Sequence, residues 1–229
     1  MKILILIMSH ETEDGNFLNL KRIWDEQILN LDKNKFDIEF KFLYSDNNIS
    51  DEYIIEGNNL ITKCVENYWY ALLQKTLCGF DFFMKNDFDL VFKTNLSTII
   101  NFEKFYEYCK QIPQSREFVY DGIIGQHQGY SFCSGAGMLL NRKSVGLVLS
   151  NKDKLHESWT DDIFIGYILN KLYNILPNEG NLNRYDIFHE NSHFTKEDIL
   201  NHTHIRIKVR KNDLDMTYSN IVYNYLSNN

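Results

Sequence analysis

The chain has 229 residues, 44% of them hydrophobic and 14% aromatic, which is enough to bury a sizeable core and too apolar for a disordered tail. Only 2 prolines and 11 glycines occur and no Pro/Gly-rich linker divides the chain, so residues 1–229 read as a single domain. A net charge of −7 denies it the basic face that a nucleic-acid partner requires.

Residues 3–8 are a continuous apolar run behind Lys2, as expected of a central parallel strand buried on both faces; the run is too short for a signal-peptide core or a membrane span. Ser9-His10-Glu11-Thr12 follows directly, and a helix begins near Asn16 with Phe17, Leu20, Trp24 and Ile28 on its inner face. Phe36, Ile38, Phe40, Phe42 and Tyr44 alternate with Asp37, Glu39 and Lys41, the pattern of a half-buried strand. Ile61, Cys64, Val65, Tyr68 and Leu72 mark a second amphipathic helix with Gly79 as its stop.

Residues 88–93 form a further strand that runs into Thr94-Asn95-Leu96-Ser97, and Asn101 caps a helix carrying Phe102, Phe105, Tyr106 and Cys109 inward. Strands follow at 118–124 and 133–140, then a helix from Thr160 through Leu172 and a last strand near 204–209. The basic run Arg206-Ile207-Lys208-Val209-Arg210-Lys211 reads as the solvated face of an edge strand, or as a local contact for a phosphate or an acceptor. Strands alternate with helices in the first half and mix later, which predicts an α/β fold with a mixed, mostly parallel central sheet flanked by helices. Cys64, Cys78, Cys109 and Cys133 show no Cys-x-x-Cys pairing and read as buried thiols in a reducing compartment, so a cytoplasmic location is expected.

Open α/β sheets bind ligands at the carboxyl ends of their strands, which singles out Ser9-His10, residues 94–97 and the loop before Thr160. Asp161 and Asp162 fall in the first turn behind Thr160. Acids there stabilise the helix dipole by about 0.3–1 kcal/mol each. The other reading is a general base that takes the proton of an attacking hydroxyl. Asp87-Phe88-Asp89 is a literal Asp-x-Asp, but it precedes its strand and reads as solvated residues at the amino end of the sheet. Where that strand ends, Asn95 and Ser97 suit a ribose or a phosphate and, lacking a carboxylate, hold Mn²⁺ or Mg²⁺ poorly. His189, His193, His202 and His204 have irregular spacing and read as scattered histidines. The glycine-rich stretch from Gly129 to Gly137 has no following helix and is no nucleotide fingerprint. Close backbone approach to a substrate and a tight turn both account for it.

In this order the features resemble the β-1,3-glycosyltransferase superfamily that includes the β-1,3-galactosyltransferases and Fringe, loosely from Met1 to His193. The matching residues are Met8-Ser9-His10, Lys21-Arg22-Ile23-Trp24, Asn67-Tyr68, Lys75-Thr76, Phe132-Cys133-Ser134-Gly135-Ala136-Gly137 and Asp161-Asp162-Ile163-Phe164-Ile165-Gly166. Phe188-His189 stands where Fringe-like members have a Phe-His that helps hold their metal. The family's Lys-Thr-Asp-Asp-Asp is here Lys93-Thr94-Asn95-Leu96-Ser97, which leaves a divalent ion at His189 open. A strand followed by Asn-Leu-Ser is also similar to the core-2 and xylosyltransferase-like enzymes, which work without a divalent ion and set basic side chains against the diphosphate.

The resemblance implies a GT-A-like, Rossmann-related fold. It also implies inverting transfer of a sugar from a UDP-sugar or similar donor to a glycan hydroxyl, with Asp162 first and Asp161 second as the base. Ser9, His10, Arg22, Lys75, Lys93, Asn95 and Ser97 would meet the donor, and Ser134, Gly135 and Trp159 the acceptor. Two rivals are a non-catalytic module that binds a nucleotide-sugar or glycan, and a nucleotidyltransferase. The acidic stretch from Glu11 to Asp14 after the first strand argues against the second.

Overall fold

A computed structural model describes residues 1–10, 12–67, 70–156, 159–178, 180 and 182–227. The elements begin with β1 (Ile3–Met8), α1 (Gly15–Leu29), β2 (Ile38–Ser45), β3 (Tyr53–Glu56), β4 (Asn59–Thr62) and α2 (Tyr70–Lys85). There follow β5 (Leu90–Asn95), β6 (Thr98–Ile100), α3 (Phe102–Gln111), β7 (Tyr120–His127), β8 (Tyr130–Asn141), α4 (Arg142–Ser150) and α5 (Asp161–Gly166), which runs on into a π-helical segment, Tyr167–Leu172. The last are β9 (Arg184–Ile187), α6 (Lys196–Leu200), β10 (His204–Ile207) and α7 (Asn212–Ser227). They make two compact units, one of residues 1–11, 37–95 and 114–179, the other of residues 12–36, 96–113 and 180–229.

The first unit is built on a seven-stranded sheet in the order β3-β4-β2-β1-β5-β8-β7. β1 pairs in parallel with β2 and β5, and every one of its residues is buried, which is why it reads as an unbroken apolar run. β5 pairs antiparallel with β8, and β8 with β7. Register aligns Met8 with both Leu43 and Asn95, so β1 and β5 end together and β2 runs two residues further. Leu4, Leu6, Val91 and Leu140 form one core with Leu73, Leu77 and Phe80 of α2, Val145 and Val148 of α4 and Phe164 of α5.

Three sequence expectations change here. β2 is not half-buried: it lies between β1 and β4, so Leu43 and even Lys41 are covered. The Lys41 ammonium escapes lengthwise, donating to the Gly57 carbonyl at 2.8 Å and resting 5.5 Å from the centre of the Phe82 ring. Ile61 belongs not to a helix but to β4, which forms a hairpin with β3 across Gly57 at φ +59°. The helix starts only at Tyr70, where the Asn67 side chain accepts the N–H groups of Tyr70 and Ala71; Tyr68 lies outside the described residues. Gly79 is no stop but sits inside α2, and a Cβ there would come 2.7 Å from Leu6 Cδ1. The glycine-rich stretch is the β7–β8 hairpin, with Gln128 at φ +43° and Gly129 at φ +83° in its turn and the remaining glycines within β8.

The second unit holds a three-stranded sheet, β6-β10-β9. β10, which begins the basic run, is its central strand rather than an edge, and Arg206 is accommodated with its guanidinium 5.5 Å from the Phe188 ring. Ile23, Ile99, Ile187, Ile199, Ile205, Ile207 and Val222 are its core. The buried stripe of α1 is Leu20, Ile23, Trp24 and Gln27 rather than one through Phe17 and Ile28. It is turned by two polar anchors, the Trp24 indole donating to the Leu96 carbonyl at 3.0 Å and the Gln27 amide to that of Ile100 at 2.9 Å. Among the described residues no helix is long and apolar enough to cross a membrane, and all four cysteines are buried free thiols.

Candidate functional site

The sharpest constellation of the first unit is where α5 begins. Lys93 projects from β5 into the core face, fully buried, and its ammonium lies 2.5 Å from Asp161 Oδ2 and donates to the Gly135 carbonyl at 2.9 Å. The Thr76 hydroxyl donates to the same Asp161 oxygen at 2.8 Å, while Asp161 Oδ1 accepts the Asp162 N–H at 3.0 Å. Asp161 is therefore a buried, fully partnered carboxylate. Isolated burial of either charge costs several kcal/mol, so each requires the other.

Asp162 differs. It is half-buried; its Oδ2 accepts the Gly135 N–H at 3.1 Å, and its Oδ1 accepts the Thr160 hydroxyl at 2.5 Å and the Ile163 N–H at 2.9 Å. A carboxylate has about four acceptor positions, and these three bonds fix its plane while leaving Oδ2 one further lone pair. Gly135 sits between the two acids for a steric reason: a Cβ there would lie 2.8 Å from Lys93 Nζ and 3.4 Å from an oxygen of each aspartate. Gly166, one turn on, does the same for the helix, since its Cβ would fall 2.4 Å from Phe132 Cβ and 3.0 Å from Phe132 Cα. The Ser-Gly and Asp-Asp-x-x-x-Gly sequences are thus two sides of one close contact between β8 and α5.

A second cluster lies at the end of β1. Lys75 is buried, donates to the Ser9 carbonyl at 2.8 Å and pairs with Glu66 at 2.8 Å. Glu66 is exposed and also accepts the Ser45 hydroxyl at 2.5 Å. The Ser9 hydroxyl is buried and has no hydrogen-bond partner among the described residues. Glu66 was missed in the sequence, and Thr76 was read only as part of the Lys75-Thr76 match, without its partner. The polar pair Lys75-Thr76 at buried positions of α2 was the available signal, because two neighbouring helix positions stay polar under burial only when each has a partner.

Aromatic rings flank the start of α5. Trp159 lies 4.8 Å from Tyr167 between ring centres, with planes at 49°, and 5.5 Å from His156. Tyr130 meets Tyr167 edge-on at 6.0 Å and donates to the Ile163 carbonyl at 3.4 Å. Burial above all, with Tyr167 and the Asp162 charge, pushes the Tyr130 phenol up to about 12. The π-helical segment begins at Tyr167 and is tied to β8 by Asn170, whose side chain accepts the Ser131 N–H at 2.7 Å.

The structure brings together Lys93, Asp161, Asp162 and Gly135, and separately Ser9 and Lys75. Ser134 is half-buried beside Gly135, His10 is exposed just past β1, and Asn95 is half-buried at the end of β5; Glu11 lies outside the described residues. Arg22, Ser97 and His189 belong to the second unit. Arg22 is engaged there by Glu26, Asn19 and Asn220, and Ser97 offers its carbonyl to the Ile207 N–H at 2.9 Å. His189 is exposed in a turn closed by the Ser192 hydroxyl. Asp87-Phe88-Asp89 stands at the amino ends of β1 and β5, where Asp89 accepts the Lys2 N–H at 2.7 Å.

A divalent ion of the kind the resemblance implies finds a poor donor set. Asn95 supplies an amide, Leu96 is buried with its carbonyl on Trp24, and Ser97 supplies a hydroxyl, with no carboxylate among the three. Among the described residues no group of three His, Cys, Asp or Glu side chains is placed to hold a metal, His189 included.

No protein-family model and no curated protein matches the sequence. Among solved structures, the crystal structure of a glycosyltransferase involved in the glycosylation of the major capsid of PBCV-1 aligns with a TM-score of 0.58 at 8% identity. The alignment covers 96% of this chain and 100% of that one. The fold is GT-A-like. At this identity the likeness is one of architecture: a mixed, mostly parallel sheet flanked by helices.

Proposed function

We propose that the chain is an inverting glycosyltransferase that moves a sugar from a nucleotide-sugar, of the UDP-sugar class, to a glycan hydroxyl. The observation that carries this reading is the division of labour between adjacent acids. Asp161 is neutralised by Lys93, while Asp162, held in a fixed plane by Gly135, keeps an accepting lone pair. In the reaction the acceptor O–H gives its proton to Asp162 as its oxygen bonds to the anomeric carbon. The bond from that carbon to the diphosphate breaks, and its electron pair leaves on the phosphate oxygen.

On the donor side we place Ser9, His10 and Asn95, at or just past the carboxyl ends of their strands. The unpartnered Ser9 hydroxyl supports this, since a buried hydroxyl left unsatisfied costs about 1–3 kcal/mol that a ligand would recover. Of the two lysines, Lys75 has a solvent-exposed counter-ion and is the better placed to meet a diphosphate; Lys93 is committed to Asp161. Ser134, Gly135 and Trp159 belong to the acceptor side. The test is turnover across a panel of nucleotide sugars: Asp162→Asn should lower kcat by about 10²–10⁴ and leave donor affinity intact, and near-normal turnover would refute the assignment.

The carboxylate-free Asn95-Leu96-Ser97 favours two further readings, a metal-independent enzyme of the core-2 and xylosyltransferase-like kind and a non-catalytic nucleotide-sugar or glycan-binding module. Turnover in EDTA supports the first, and donor binding without turnover of any nucleotide sugar supports the second.

A further inference from the structure

We infer that Trp159 and Tyr167 form the subsite for the accepting sugar, with a pyranose laying its C–H face on these rings and turning one hydroxyl to Asp162. This rests on the transferase reading above and narrows the acceptor to a pyranoside.

The rings bracket the base in sequence: Trp159 precedes Asp162 by three residues and Tyr167 follows it by five. Both are half-buried, so each is seated on the core on one side and open on another. Their planes meet at 49° rather than in parallel. With their centres 4.8 Å apart the rings pack on each other, so a sugar would lie on their outer faces rather than between them. The seat is rigid, because the buried Tyr130 ring backs Tyr167 edge-on and its hydroxyl is tied to the Ile163 carbonyl of the same helix. The helix changes to π geometry at Tyr167, a departure that costs hydrogen-bond quality and is concentrated at functional sites. Imidazoles stand at both ends of the ring cluster, His156 against Trp159 and His127 against Tyr130, and supply polar groups of the kind that sugar hydroxyls bind.

The experiment is saturation-transfer NMR with methyl β-galactoside, methyl β-N-acetylglucosaminide and methyl β-xyloside on the whole chain. Wild type should transfer saturation to the C–H protons of one face of at least one glycoside. Trp159→Leu should weaken that binding about tenfold, and Trp159→Phe, which keeps a ring, by only about threefold. If Trp159→Leu fails to fold, Tyr167→Leu carries the same expectation. Binding to no glycoside by folded wild type, or equal binding by wild type and the leucine variants, overturns the inference. Wild-type turnover by Asp162→Asn would instead overturn the base assignment while leaving a ring-dependent sugar site standing, so the two failures are distinguishable.

Discussion

The ammonium of Lys93 stands 2.5 Å from Asp161 Oδ2, and neither side chain is open to water. Removing one partner strands the other. Lys93→Met should therefore cost about 3–5 kcal/mol of stability, read as a lower urea midpoint. The double variant Lys93→Met, Asp161→Leu should recover much of that loss, because it strands no charge. A double-mutant cycle with no coupling would show that the pair is not the unit described.

Gly166→Ala sets two effects against each other. Alanine gains about 1 kcal/mol in a helix over glycine, but the added Cβ would lie 2.4 Å from Phe132 Cβ and 3.0 Å from its Cα. Backbone has to move to relieve that, at about 1–3 kcal/mol or more. The steric term wins, so the midpoint should fall with m unchanged.

His204 gives the fold an acid limit. It is fully buried, and burial first, then Arg184 and His202, lowers its imidazole from 6.5 to about 3. The unfolded chain takes up a proton below 6.5 and the folded chain does not until about 3, so between those values the unfolded state binds more protons. Stability is whole above 6.5 and declines as pH falls, by up to about 1.4 kcal/mol per pH unit from this group. Unfolding followed from pH 7 to pH 4 should show that slope, and His204→Leu should flatten it.

Lys75 and Lys93 separate kinetically. If Lys75 meets the donor diphosphate, Lys75→Met raises KM for the nucleotide sugar about tenfold or more, as losing a charge-assisted bond of about 1.5–3 kcal/mol would. Lys93→Arg, which keeps the charge but misfits the small space between Gly135 and Asp161, should lower kcat with little change in KM. The reverse pattern would exchange their roles.

Chelation bears on the strand end. With an amide and a hydroxyl at Asn95 and Ser97 and no carboxylate, transfer should persist in EDTA, and Mn²⁺ should add no thermal stabilisation beyond that of the nucleotide sugar alone. A Mn²⁺-dependent shift lost in His189→Ala would point to a metal site that includes His189.

The sequence made some of this legible and hid the rest for identifiable reasons. β1 was plain because a strand buried on both faces has no polar residue to interrupt it. β2 misled because Lys41 alternates correctly for an exposed face, yet its stem is long enough to carry the charge out from an inner strand. β4 was read as the start of the following helix because Ile61, Cys64 and Leu72 happen to fit a period near 3.6, and β3 was not read at all, Gly57 alone marking the turn. Asp161 and Asp162 were found as a pair, but periodicity cannot tell which is sequestered. That depends on Lys93 and Thr76, whose meeting with α5 is a tertiary fact.

The glycines at 79 and 166 differ in what they demand of descendants of this chain. A side chain at 79 would strike the methyl ends of Leu6 and come against one of Leu43, so drift there can be matched by trimming such flexible ends, residue 6 first. At 166 the obstacle is the Cβ of Phe132, which every residue but glycine carries, together with its Cα, which every residue carries. Even glycine at 132 would leave that Cα at 3.0 Å and the Ser131 carbonyl at 3.1 Å, so no partner substitution relieves it in full. A lineage can therefore rewrite the floor beneath β1 while the seat of Asp162 stays frozen.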